Sequence, residues 1–157
     1  MTIIREQLSL WEDPAQIILN KEKVDIATLR SDEFRKNNFN LITKGVYFIY
    51  KTGGVNPFMK DKGPIFPFIK NDITGKIIKL VPLQNKKDSA YPFTFINSNG
   101  FCFKLNMHKT VALAFLPNDN PKQKTVVDHL DGNHFNYLPE NLEWVSSSDN
   151  SKRRKSS

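Results

Sequence analysis

Residues 125–150 read TVVDHLDGNHFNYLPENLEWVSSSDN, and four of their side chains form a chemical set: Asp128, His129, Asn141 and Asn150. A carboxylate and an amide carbonyl are oxygen ligands of the kind a hard divalent cation takes. An imidazole beside them can accept a proton from water near neutral pH. A polar side chain on a facing strand can fix the orientation of that imidazole. Such a set suits the metal-supported hydrolysis of a phosphodiester. A lone Asp-His pair is more often a turn or a surface pair. The spacing to Asn141 and Asn150 is what turns this pair into a candidate site.

The elements around these residues must bring them together. TVVDHL (125–130) and LEWV (142–145) read as two short strands joined by the long loop DGNHFNYLPEN. Ser146, Ser147 and Ser148 offer N-caps for a last helix that begins near Asp149 and runs into KRRK. Upstream, HKTVALAFL (108–116) places Val111, Ala112, Phe115 and Leu116 at helical spacing, and Pro117 stops it. Trp144, Leu142 and Val145 are expected in the core of this unit. Asp131-Gly132 is expected to shape the loop entry. His108 is expected to play a structural hydrogen-bonding part, His134 to be an exposed loop histidine, and Cys102 to be a buried small residue.

HKTVALAF (108–115), VDHLDGN (127–133), NLEW (141–144) and DN (149–150) together resemble the HNH, or ββα-metal, endonucleases. Within them the stretch is most similar to the branch rich in phage and intron-encoded homing endonucleases. The resemblance covers about residues 76–152. It implies Asp128 as a metal ligand, His129 as the general base, and Asn141 as the residue that braces the hairpin and orients His129. Asn150 stands where many relatives carry a second histidine and would be the other ligand. Oxygen in place of nitrogen there favours Mg²⁺ or Mn²⁺ over Zn²⁺. The resemblance further implies a DNA substrate and products with 5′-phosphate and 3′-hydroxyl ends.

From Gly45 onward the chain reads as β structure. VYFIY (46–50), KIIKLV (76–81), YPFTFI (91–96) and FCFKL (101–105) are rich in aromatic and β-branched residues, and Gly, Pro, Asn and Asp clusters separate them. Asn99-Gly100 is a two-residue hairpin turn between the last two. Before Gly45 the pattern predicts helices: one starting at Asp13-Pro14 with Ile17, Ile18 and Leu19, and one from about Asp25 to Lys36. The fold class expected is α+β: a helical N-terminal segment (1–43), a Lys-rich antiparallel β-hairpin region (44–107), and a C-terminal ββα-metal core with a basic tail (108–157).

Charge divides along these lines. The 157 residues carry a net +7, but residues 44–109 hold +8, residues 110–151 hold −4, and residues 152–157 hold +4. An acidic core cannot hold a polyanion unaided. Lys76, Lys79, Lys86, Lys87 and Lys104, with Lys152, Arg153, Arg154 and Lys155, are the expected DNA contacts. One cysteine excludes an intramolecular disulfide framework and a multi-cysteine zinc site. No apolar run approaches a bilayer span, and no secretory leader is evident, so an intracellular location is expected, in a host cell if the source is viral. Lys outnumbers Arg 18 to 5, which suggests an A·T-rich coding genome such as that of a phage or other virus. The expected partner is double-stranded DNA, with the chain a monomer or a homodimer and no membrane involved. The alternative is a catalytically idle nucleic-acid-binding protein on the same scaffold.

Overall fold

The computed structural model describes residues 22–29, 44–82, 91–98 and 100–156. A four-stranded antiparallel sheet comes first in the chain. It comprises β1 (Lys23–Asp25), β2 (Tyr47–Gly54), β3 (Phe66–Asn71) and β4 (Ile77–Ile78), hydrogen-bonded in that order. Alternation sets its two faces: Tyr47 and Ile49 point into the core, while Phe48 and Tyr50 are half-buried on the other side. A hairpin follows, β5 (Phe93–Ser98) and β6 (Phe101–Asn106), in which Ser98 pairs with Phe101 across a two-residue loop. Gly100 takes φ +81 there, as a tight turn of this type requires.

The hairpin runs directly into helix α1 (Met107–Phe115). Met107, Val111, Ala112, Ala114 and Phe115 are buried along its inner face. Then come β7 (Val126–His129) and β8 (Leu142–Val145), an antiparallel pair in which Val127 faces Trp144 and His129 faces Leu142. Helix α2 (Ser147–Ser156) closes the described residues. Its first turn is capped by Ser146, whose Oγ accepts the Asp149 N–H at 3.1 Å. Trp144, Leu142 and Val145 are buried, as expected.

The two parts of the molecule share one core. Phe66 of β3 packs edge-on against Tyr137 in the β7–β8 loop, with ring centroids 5.3 Å apart. Phe58 stacks on Phe135 at 5.1 Å. Asn56, fully buried, donates to the Phe135 carbonyl at 2.7 Å and accepts from the Phe58 N–H at 3.0 Å. The loop after β2 therefore grips the loop that shapes the candidate site.

Among the differences from the sequence reading are two elements and one side chain. The helix expected from Asp25 is replaced, over the described residues, by the end of β1 and a single 3₁₀ turn at Ile26–Thr28. Asp25 caps that turn at the Ala27 N–H and also accepts from Gly45 N–H, and Leu29 is already extended. Residues 30–36 and the helix expected from Asp13-Pro14 lie outside the described residues. The strand β3 is absent from the sequence reading because Pro67 sits within it. The register between β2 and β3 shifts between Tyr50 and Gly54, opposite Pro67, so the proline falls where the ladder is irregular. Cys102 is exposed, not buried, because it pairs with Asn97 on the outer face of the hairpin.

Candidate active site

β7 presents Asp128 and His129 to opposite sides of a two-stranded ladder, since successive side chains of a strand alternate. Asp128 faces α2. His129 points inward and is only 5 % exposed. Its Nε2 is buried and has no hydrogen-bond partner among the described residues.

Three further rings surround His129. Tyr91, just before β5, stacks on His108 at 4.4 Å and on His134 at 4.5 Å, so the tyrosine lies between two imidazoles. The His129 ring lies 5.6 Å from Tyr91 and 5.4 Å from each of the other histidines. His134 is thus half-buried rather than an exposed loop residue, because Tyr91 covers it. All three histidines of the chain meet in one place. Tyr91 carried no sequence signal beyond being aromatic at a strand start.

Burial, aided by the neighbouring His134, pushes the His129 imidazole down to about 4 against the opposing pull of Asp131 and Asp128. His108 is pushed down to about 3, chiefly by burial, with His129, Lys109 and His134 adding to it. Both rings are neutral at physiological pH. Imidazoles in the unfolded chain bind protons from about 6.5 downward, so below that pH the unfolded state holds more protons than the folded one. Stability is therefore undiminished above about 6.5 and falls as the pH drops toward these depressed values. A urea titration without DNA or divalent metal should give a lower midpoint at pH 5 than at pH 7. His108→Asn should remove part of that difference; an unchanged pH dependence would contradict the buried, neutral state of His108.

Asn141 braces the loop. Its side-chain N–H groups donate to Asp131 Oδ1 and to the Asn136 carbonyl, each at 2.9 Å, and its Oδ1 accepts the Asp131 N–H at 3.1 Å. Asp131 also accepts from Asn136 at 2.9 Å and from the Asn133 N–H at 2.8 Å. Burial raises the Asp131 carboxyl, but these donors together outweigh it and hold it below the ordinary range. The contact of Asn141 with the neighbourhood of His129 is through the backbone, where its carbonyl accepts the Leu130 N–H at 2.8 Å. Asp131-Gly132 does shape the loop, with Gly132 at φ +73. Asn141→Leu strands both the Asp131 N–H and the Asn136 carbonyl. A loss of about 1–3 kcal/mol is expected from the buried Asn136 carbonyl left unpaired, and less from the part-buried Asp131 N–H, measured by urea denaturation.

Asp128 Oδ2 accepts from Arg153 Nη1 at 2.9 Å, and the same nitrogen lies 2.8 Å from Glu143 Oε2. Arg153, expected as a DNA contact, is thus drawn onto the β7–β8 ladder. Asn150 lies three residues before Arg153 on α2, hence on the same helix face. Asn150 and the Arg153 guanidinium that touches Asp128 therefore share the side of α2 turned to β7. Among the described residues no three His, Cys, Asp or Glu side chains converge on a metal position. The pair Asp128 and Asn150 nonetheless fits a hard divalent cation. Both offer oxygen, and the carboxylate already holds a positive group in the guanidinium. The remainder of the shell would come from water and phosphate.

Lys76 and Lys79 are exposed and line a cleft of about 310 Å³ with Asn71, Tyr47, Phe95 and Asn97, between β3–β4 and β5. Lys104 is exposed on β6, its ammonium 4.5 Å from the centre of the Phe93 ring. Lys152 is exposed on α2, and Arg154 and Lys155 continue that helix. Lys86 and Lys87 lie outside the described residues. Among the described residues no helix is long and apolar enough to cross a membrane.

Residues 107–152 match the family model of HNH endonucleases. Two similar proteins come from Acanthamoeba polyphaga mimivirus, both designated uncharacterized HNH endonucleases. L247 is 30% identical over 102 residues, covering 65% of this chain and 25% of the relative. L245 is 32% identical over 78 residues, covering 50% and 22%. The chain thus spans about a quarter of the length of the curated relatives it matches. Among solved structures, the HNH homing endonuclease I-HmuI, described for DNA binding and cleavage, superposes with a TM-score of 0.57 at 23% identity, covering 87% of this chain and 59% of that one. That likeness is one of fold.

Proposed function

We propose that this chain, whose residues 107–152 are an HNH endonuclease domain, hydrolyses DNA phosphodiesters with His129 as the general base. The observation that carries the reading is the buried, inward imidazole of His129, next in sequence to Asp128 on β7. Because Nε2 is enclosed, the nitrogen that takes the proton from water is Nδ1. A neutral imidazole carries a lone pair with which it can accept a proton. Asn141 keeps the β7–β8 loop in one shape through its three side-chain hydrogen bonds. Asp128 and Asn150 would hold a Mg²⁺ or Mn²⁺ ion, which supplies charge neutralisation at the phosphate and its leaving oxygen. Arg153, which also pairs with Glu143, would keep that partner if Asp128 held the ion. The 5′-phosphate and 3′-hydroxyl ends that the family resemblance implies follow when the leaving group is the 3′ oxygen. A homing role is consistent with the likeness to I-HmuI in fold.

DNA affinity must come from outside the acidic core. The β region and α2 supply it: Lys76 and Lys79 at the cleft, Lys104 on the hairpin, Lys152, Arg154 and Lys155 on the last helix, together with Lys86 and Lys87, which lie outside the described residues. Every phosphate left without its lysine should lower the slope of log K against log [salt] by ~0.9. Replacing both Lys76 and Lys79 with Ala should therefore reduce the slope by up to about twice that. A salt titration on a fixed duplex measures it; an unchanged slope would remove these two lysines from the interface.

One observation favours the idle scaffold: Arg153 occupies Asp128 as an ion pair. Isothermal titration of the chain with Mg²⁺ and Mn²⁺ separates the two readings. Saturable binding that disappears in Asp128→Ala supports the nuclease; no binding at millimolar metal, with or without a DNA duplex, supports the idle protein.

A further inference from the structure

The outer face of the β5–β6 hairpin carries groups that the catalytic reading leaves unused. Strand alternation turns Thr94 and Ile96 inward, where both are buried, and Phe93, Phe95 and Asn97 outward. Phe95 is 43 % exposed, and among the described side chains it is the one exposed aromatic ring. Its neighbours restrict it. Phe93 meets it in an edge-on contact, with ring centroids 5.5 Å apart and planes at 85°. Lys104, directly across the ladder from Phe95, sets its ammonium 4.5 Å from the centre of the Phe93 ring. On the side away from β6, the Phe93 carbonyl accepts the Val81 N–H at 2.9 Å and the Thr94 hydroxyl donates to the Lys79 carbonyl at 2.7 Å. There Phe95 lines the cleft of about 310 Å³ together with Lys76, Lys79 and Asn97. The exposed ring thus stands between Lys104 on one flank and Lys76 and Lys79 on the other.

We propose that this face is a binding site for an unpaired nucleotide of the DNA substrate, its base stacked on Phe95 and its flanking phosphates held by Lys76, Lys79 and Lys104. The proposal rests on DNA as the substrate and on no assignment among the catalytic residues. The chemistry selects the ligand. An exposed aromatic ring is a stacking surface for any base, and lysines on both flanks match the phosphates on either side of that base. Asn97 adds an amide that can donate to and accept from a base edge. A fully paired duplex does not suit the ring, because its bases are covered on both faces by their neighbours in the stack. The cleft lies at the lower end of the ~300–1,000 Å³ typical of small-ligand pockets, which suits one nucleotide and not a helix. Position in the chain ties the site to the reaction. Phe95 lies four residues beyond Tyr91, which packs on His129, and four residues of backbone span at most roughly 14 Å. The site therefore holds a base a short way along the strand from the phosphodiester to be cut.

Fluorescence anisotropy of the full chain in EDTA, which removes divalent metal, tests this without any cleavage reaction. The two probes are a duplex carrying a single unpaired thymidine and the same duplex fully paired. An unpaired thymidine enters the site without the breaking of a base pair. The expected result is tighter binding of the first duplex by about 5–150-fold, the range that stacking one base on an aromatic side chain supplies. Phe95→Leu keeps an apolar side chain but has no flat ring. It should lose that preference while its affinity for the paired duplex stays within about twofold of wild type. Phe95→Trp restores a flat ring and should keep the preference. Because Phe95 is exposed, both variants are expected to fold, and circular dichroism checks that they do. Equal affinity of the wild-type chain for the two duplexes would overturn the proposal. So would a preference that Phe95→Leu retains in full. If the preference behaves as stated and the chain leaves DNA intact in Mg²⁺, the nucleotide site stands and the nuclease reading falls. If the chain cuts DNA but shows no preference, the site falls alone.

Discussion

His129→Ala should cleave DNA about 10²–10⁴-fold more slowly than the wild-type chain, the usual loss when a positioned general base is removed. Its effect on DNA affinity should be small, because a neutral, buried imidazole adds no charge to the grip on phosphate. The separation of the two effects is the informative part. A structural histidine would also fail when removed, but through folding, and it would take binding with it. His129→Ala does open a cavity beside Tyr91, so some thermal destabilisation is expected. Single-turnover cleavage at saturating enzyme, set beside a binding isotherm on the same duplex, measures both. A rate within a few-fold of wild type would remove His129 from the mechanism.

The second large effect concerns Asp128. Asp128→Ala should abolish Mg²⁺-supported cleavage at metal concentrations that saturate the wild-type chain, since it removes one of only two protein oxygens. Folding should survive. The ion pair with Arg153 is partly exposed, with 46 % of the Arg153 side-chain surface open to solvent, and pairs of this kind contribute about 0–1 kcal/mol. Arg153 also retains Glu143. Asn150→Asp should change the preference between Mg²⁺ and Mn²⁺ without loss of the fold, because it exchanges one oxygen ligand for a charged one. Thermal melts and a metal titration of each variant check these expectations. Cleavage by Asp128→Ala at the wild-type rate would contradict the metal assignment.

Much of the C-terminal unit was legible because its signals are local. VVDH and LEWV are strands of four residues each, and the spacing of Asp128, His129, Asn141 and Asn150 does not depend on anything upstream. Asp131-Gly132 declared a turn by composition, and Gly132 takes the positive φ such a turn needs. The Asn99-Gly100 hairpin was legible for the same reason.

What escaped was non-local. Tyr91 meets His108 and His134 from positions 17 and 43 residues away in sequence, and no periodicity reports such a contact. Arg153 reads as one member of a basic run, and only the packing of α2 on β7 draws it to Asp128. Asn56 reads as a loop residue, yet it is fully buried because the Phe135 carbonyl needs its donor. The strand at Phe66–Asn71 was hidden by Pro67, a residue that argues against a strand unless a register shift accommodates it. At Ile26–Thr28 a helical pattern yields to a single turn, because Asp25 is already committed to both the Ala27 and Gly45 amides.

The central claim is that this chain cuts DNA with a metal ion and His129. The most direct test is incubation of random-sequence duplex DNA with the wild-type chain and with His129→Ala, in Mg²⁺ and in excess EDTA, followed by sequencing of the ends. The account predicts cleavage by the wild-type chain in Mg²⁺ alone, with 5′-phosphate and 3′-hydroxyl ends, and little or none in the other three reactions. Equal cleavage in EDTA, equal cleavage by His129→Ala, or intact DNA in every reaction would contradict it.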